Sequence, residues 1–129
     1  MTIANGESKI TETIFENRMN HINLLNKMGA RIKLNKNTAY INGVKTINGM
    51  DLVGLDLRSS AALIIAGIIA KGSSKIYGLE HLDRGYENFE SKLKTLGIKI
   101  AREFNQITLN KSEYKINSES KDILDLRVA

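Results

Sequence analysis

The chain has 129 residues, enough for one domain with a real core, and contains no cysteine, proline or tryptophan. The missing cysteines exclude disulfides, zinc thiolates and a cysteine nucleophile within it, and its first residues lack the basic and apolar regions of a signal peptide. Of the net charge of +5, residues 112–129 contribute −1 and the rest +6, which suits an anionic partner: a nucleotide, a phosphorylated metabolite or nucleic acid.

Met1–Asn5 reads as the last turn of a helix stopped by Gly6, and Lys9–Ile14 as a strand. Arg18 is expected to open a helix whose apolar positions Met19, Ile22, Leu25 and Met28 recur every three residues, with Gly29 as its stop. Residues 30–34 and 38–41 alternate about Asn35–Asn37 and predict a hairpin. Met50–Leu55 reads as a strand, followed by a helix over about 57–70 that is apolar on nearly every face. Such a helix is expected to be buried all round, and this chain offers too little to cover it. Gly67 within it either permits a close helix contact or is a tolerated interior glycine. The run Ala61–Ala70 falls well short of the roughly 20 residues that span a bilayer. A cytoplasmic protein with no membrane partner is therefore expected.

The first pattern then recurs. Lys75–Leu79 reads as a strand, and a helix is expected after Arg84 with Phe89, Leu93 and Leu96 inward and Gly97 as its stop. Residues 98–101 and 106–109 pair as a hairpin across Phe104–Asn105. Arg18 and Arg84 stand 66 positions apart and Gly29 and Gly97 stand 68 apart, a period that implies stacked α/β subunits. The fold class is α/β (α+β). Residues 1–111 are read as part of one domain, about one and a half subunits beginning in mid-repeat, and residues 112–129 as a poorly ordered tail.

Three of the six arginines, Arg18, Arg58 and Arg84, stand where a short apolar strand is expected to give way to a helix. The peptide dipoles make a helix N-terminus partly positive, so a cation there is badly placed unless an anion is held between the N–H groups and the guanidinium. Glu16, Asp56 and Asp83, each one or two residues ahead of an arginine, are alternatively simple N-caps beside solvated arginines. His21 and His81 are read as structural. Nothing in the sequence has metal-ligand spacing or a glycine-rich nucleotide fingerprint, so no metal and no cofactor is expected.

The segments Ile10–Arg18, Asp56–Leu63 and His81–Asn88 together resemble the UDP-N-acetylglucosamine enolpyruvyl transferases (1-carboxyvinyltransferases) of bacterial cell-wall synthesis, without an evident gap from Met1 to about Leu109. The resemblance implies a carboxyl-terminal part of a two-domain enzyme whose domains, inside-out α/β barrels, are each built from three similar subunits. It implies that Arg58 and Arg84 line the phosphoenolpyruvate site, Arg84 also acting in catalysis. Arg18 is implied as a further active-site arginine. Ile14 and Phe15 are implied to touch the UDP-sugar, and Asp56 to stand as a catalytic acid beside the reacting centre.

The family reaction moves the enolpyruvyl group of phosphoenolpyruvate to the sugar 3-hydroxyl, with loss of phosphate, through a tetrahedral intermediate. A mobile-loop cysteine, an upstream aspartate and a lysine–asparagine pair that the family uses have no counterpart here. The chain alone is therefore expected to be inactive, as a fragment, a decayed gene product or a partner of a separately encoded amino-terminal half. Two other readings are a piece of the related shikimate-phosphate transferase and a non-catalytic remnant that binds anions or nucleic acid. Scarce aromatics and the lack of an RNA- or DNA-binding signature argue against nucleic acid.

Overall fold

The computed structural model describes residues 1–110; the expected tail, residues 112–129, lies outside them. The elements run β1 (Glu7–Thr11), α1 (Ile22–Lys27), β2 (Arg31–Asn35), β3 (Thr38–Asn42), β4 (Asp51–Val53) and α2 (Leu57–Ile69). They continue with β5 (Ser73–Tyr77), α3 (Glu80–Gly85), α4 (Phe89–Thr95), β6 (Ile100–Glu103) and β7 (Gln106–Asn110). Two sheets form, ordered β1-β3-β2 and β4-β5-β7-β6. All pairs are antiparallel except β4 and β5, which run parallel and are joined over α2.

The repeat read from the sequence is present in the geometry. Strands β1, β3 and β2 have the same order and register as β5, β7 and β6: Ser8 faces Ile41 as Ser74 faces Leu109, and Ile32 faces Ile41 as Ile100 faces Leu109. The backbone breaks recur too. Gly6 and Gly72, Gly29 and Gly97, and the hairpin residues Lys36 and Phe104 all have positive φ. Asn37 and Asn105 do matching work: the Asn37 amide donates to the Glu12 carbonyl, and the Asn105 side-chain oxygen accepts from the Leu79 N–H. Each ties its hairpin turn to the loop leaving the first strand of its unit.

The larger core lies between α2 and the second sheet, with Leu63, Ile64, Ile76, Leu79, Leu82, Ile107 and Leu109 almost wholly buried. Helix α2 approaches β5 and β7 at Gly67, where a Cβ would lie 2.5 Å from Leu109 Cδ1 and 3.3 Å from Ser74 Cβ. The close contact foreseen at Gly67 is thus real, but with the sheet and not with another helix. A smaller cluster of Ile22, Ala39 and Ile41 lies under the first sheet.

Several boundaries differ from expectation. Residues 1–6 form a turn, closed by the Ala4 N–H on the Met1 carbonyl at 3.0 Å, and not a helical end. The first strand stops at Thr11, before Ile14. The helix expected from Arg18 begins only at Ile22, after turns spanning residues 16–21 in which Asn17 is left-handed (φ 58°). An unforeseen helix, α3, occupies the segment expected to be a loop, because Leu79 and Leu82 bury one apolar side of a single turn. Leu96, expected inward, is 67% exposed because α4 ends at Thr95 and Gly97 turns the chain away. Helix α2 matches expectation instead: the chain does not cover it fully, leaving Ile65 55% and Ile69 41% exposed.

Candidate functional site

The arginine junctions are built in three different ways. Arg58 alone sits at a helix N-terminus. Asp56 caps α2 by accepting from the Ser59 N–H (2.8 Å), while Ser59 Oγ accepts from the Asp56 N–H (2.8 Å) and the Leu55 N–H (2.9 Å). This reciprocal cap holds the first turn of α2 and so fixes where Arg58 leaves it. Arg58 is exposed and makes no ion pair among the described residues.

Arg84 corrects the expectation. It lies in the last turn of α3, where the helix dipole favours a cation, so the misplaced-charge argument does not apply to it. Its neighbour Asp83 is not a cap. Arg102 of β6 grips Asp83 with both Nη atoms, at 2.6 and 2.8 Å, and reaches Glu90 of α4 at 3.3 Å. Those hydrogen bonds hold the Asp83 carboxyl below its ordinary pKa. With Asp83 so engaged, Arg84 stays exposed and without an ion pair among the described residues, although Glu80 one turn earlier feels its charge.

Gly85 joins these two arginines. A Cβ on Gly85 would lie 2.5 Å from Leu57 Cδ2, so the end of α3 is pressed onto the first residue of α2. Leu57 precedes Arg58 and Gly85 follows Arg84, so this contact packs the end of α3, which carries one arginine, against the start of α2, which carries the other.

Arg18 belongs to a third arrangement, organised by a residue that sequence reasoning missed. Glu12 Oε1 accepts from the N–H of Ile14 (2.8 Å) and Phe15 (3.3 Å), and Oε2 lies 3.5 Å from Arg18 Nη1. The Arg18 guanidinium stacks on the Phe15 ring at 3.7 Å, and its Nε is buried without a hydrogen-bond partner. The Ile14 N–H, then those of Phe15 and the Arg18 charge, draw the Glu12 pKa below the ordinary carboxylate value. The signal was available: Glu12 stands two residues before exposed apolar Ile14, in a stretch with asparagines at 17 and 20 that favour turns.

An open cavity of about 460 Å³ lies over this loop, lined by Glu12, Ile14, Phe15, Arg18, Lys36 and Asn37 among others. Ile14, Phe15 and Arg18 are thus together. His21, half-buried at the end of the same turn, lies near enough to Asp56 to feel its charge, which links this loop to the start of α2. Among the described residues, no three histidines, cysteines, aspartates or glutamates cluster as a metal site, and no helix is long and apolar enough to cross a membrane.

Comparison with known proteins places this geometry in a class. Residues 1–93 match the sequence model of the EPSP synthase family (3-phosphoshikimate 1-carboxyvinyltransferase), and the chain belongs to that family. It is 79% identical over all 129 residues to UDP-N-acetylglucosamine 1-carboxyvinyltransferase of Prochlorococcus marinus (strain MIT 9312), of which it spans 28%. It is 49% identical over 84% of its length to the enzyme of that name from Synechocystis sp., spanning 25% of it. Among solved structures, the enolpyruvyl transferase NikO of Streptomyces tendae matches 84% of the chain with a TM-score of 0.68 and 25% identity, over 24% of that protein. EPSP synthase of Acinetobacter baumannii shares the fold over 86% of the chain and 27% of its own, with a TM-score of 0.69 and 22% identity. The resemblance carried by the three motifs therefore extends along the chain, which spans about 28% of the first of these relatives.

Proposed function

We propose that this chain forms one wall of the cleft of a UDP-N-acetylglucosamine enolpyruvyl transferase. The observation that carries the reading is that Arg58 and Arg84 stand on two packed segments with no acid paired to either. Both are exposed, neither has an ion pair among the described residues, and Gly85, next to Arg84, packs on Leu57, next to Arg58. Phosphoenolpyruvate offers a carboxylate and a phosphate, the two groups that guanidinium binds best in bidentate fashion. In this reading Arg58 and Arg84 hold those groups, and their charge stabilises the departing phosphate as the enolpyruvyl group passes to the sugar 3-hydroxyl.

Asp56 stands beside the reacting centre with Oδ1 committed to the helix cap and its second oxygen left for the substrates. Ile14 and Phe15, held out by Glu12, receive the UDP-sugar, and Arg18 braces that loop by stacking on Phe15. The remaining groups of the cleft come from the length of the relatives that this chain does not span, so the chain alone is inactive.

The test uses a chimaera in which this chain replaces the matched segment of the 79%-identical Prochlorococcus enzyme. Arg84→Lys keeps the charge and loses the planar fork. Its kcat/KM for phosphoenolpyruvate should fall by about 2–4 kcal/mol in transition-state terms, the scale for one preorganised donor. The KM for the UDP-sugar should move little, and Lys92→Arg, on exposed α4 surface, should be neutral. Full turnover by Arg84→Lys at low phosphoenolpyruvate would refute the anion clamp.

A further inference from the structure

The two units of this chain share strand order and register, and they differ at a position that bears on Arg84. By register Arg102 of β6 corresponds to Leu34 of β2, as Ile100 does to Ile32 and Ile107 to Ala39. Strand β2 pairs with β3 through Leu34, whose side chain is 45% exposed, so the repeated fold does not require an arginine at this place. The unit that has the arginine is the one that carries Arg84.

Arg102 Nη1 and Nη2 donate to the two carboxylate oxygens of Asp83 at 2.8 and 2.6 Å, and Nη1 also donates to Glu90 Oε2 at 3.3 Å. Its Nε donates to the Phe104 carbonyl at 3.4 Å. One guanidinium thus joins the end of α3, the second residue of α4 and the β6–β7 turn. Asp83 and Glu90 bracket the segment that holds Arg84, and few other contacts fix it. Helix α3 has six residues and α4 seven, too short to be stable by themselves. Neither has a side-chain N-cap, and α4 starts from Asn88 in the left-handed region (φ 51°) with no fully buried residue of its own. Phe89 and Leu93 only border the core. Gly85 on Leu57 and the Tyr86–Phe89 ring contact at 5.2 Å hold the middle of the segment.

We infer that Arg102 is a positioning residue for phosphoenolpyruvate: by gripping Asp83 and Glu90 together it fixes the backbone between them, and so the place where Arg84 meets the anion. Arg102 touches no substrate in this role and acts through Arg84. The role rests on the assignment of Arg84 to phosphoenolpyruvate made above, and it adds the residue that sets Arg84.

The test is a double-mutant cycle in the Prochlorococcus chimaera. Arg102→Leu installs the side chain that β2 has at the same register, so both sheets should form. Its kcat/KM for phosphoenolpyruvate should fall by about ten- to a hundredfold, the scale of a small misplacement of a binding group, while the KM for the UDP-sugar stays within about twofold. In an Arg84→Lys background the same change should cost less than about twofold, because the residue it acts through is already impaired. Arg102→Lys, which keeps the charge and loses the fork, should fall between. Amide exchange at Tyr86 and Lys92 should quicken in Arg102→Leu while that of β3 is unchanged. Losses at positions 84 and 102 that multiply, or an equal loss toward both substrates, overturn the inference. Undiminished use of phosphoenolpyruvate by Arg102→Leu, beside a loss in Arg84→Lys, overturns the positioning role and leaves the anion clamp standing. Full turnover by Arg84→Lys overturns the clamp, and the positioning role with it. If Arg102→Leu does not fold, Arg102→Lys takes its place in the cycle under the same criteria.

Discussion

Glu12 shows how one carboxylate can set the shape of a loop. It stops two backbone N–H groups that would otherwise point at solvent and gives Arg18 a counter-charge, so Ile14 and Phe15 are displayed on a turn. Glu12→Ala should leave both sheets intact and loosen this loop selectively. Amide exchange at Ile14 and Phe15 should accelerate while the amides of β3 are unchanged. Equal exchange in both proteins would mean that the loop is held by the Phe15–Arg18 stack instead. Arg102 plays the matching part in the second unit, spanning α3, α4 and β6 through Asp83 and Glu90. It leaves Arg84 without an ion pair among the described residues.

At the scale of elements, α2 is the member on which both the core and the candidate site depend. Its cap orients Arg58, its first residue receives Gly85, and its middle is pressed on the sheet at Gly67. Gly67→Ala sets two effects against each other. Alanine gains up to about 1 kcal/mol of helix propensity over glycine. Its Cβ, however, would lie 2.5 Å from Leu109 Cδ1, and overpacking of that kind costs about 1–3 kcal/mol. Net destabilisation is expected in urea unfolding, and it should vanish when the same change is made in a Leu109→Ala background. A stabilised Gly67→Ala would show that Leu109 rotates away at little cost.

For the whole molecule, acid should act in two stages. Burial pushes the pKa of His21 below the ordinary 6.5, against the opposing pull of Asp56. As pH falls below that value the unfolded chain takes up the proton before the folded one, so stability declines. His21→Gln should flatten this stage. Further down, the folded carboxyls of Glu12 and Asp83 lie below their ordinary 4.5 and 3.8, so stability present above those values is lost as pH falls through the folded ones. A melting temperature flat between neutrality and pH 5 in the unmutated chain, beside an unchanged His21→Gln, would contradict the first stage.

The sequence by itself determined what depends on neighbours along the chain. Alternation predicted both hairpins, Gly29 and Gly97 marked helix ends, and Asp56 stood where an N-cap could form. The repeat was legible because equivalent residues do equivalent local work, as Gly6 and Gly72 do. The motifs that carry the family resemblance are likewise short and contiguous. Only the tertiary structure decided what depends on partners distant in sequence. Arg102, nineteen residues beyond Asp83, takes the acid that seemed to belong to Arg84. Glu12 holds the N–H groups of Ile14 and Phe15 in a loop ahead of the first helix, and Leu79 with Leu82 turns an expected loop into α3 because a core exists for them to enter. Gly85 packs the end of α3 on Leu57 at the start of α2 through a contact with no local signal. Propensity and periodicity act over one or two turns, whereas charge pairing and close packing are settled by whichever surface the folded chain brings near.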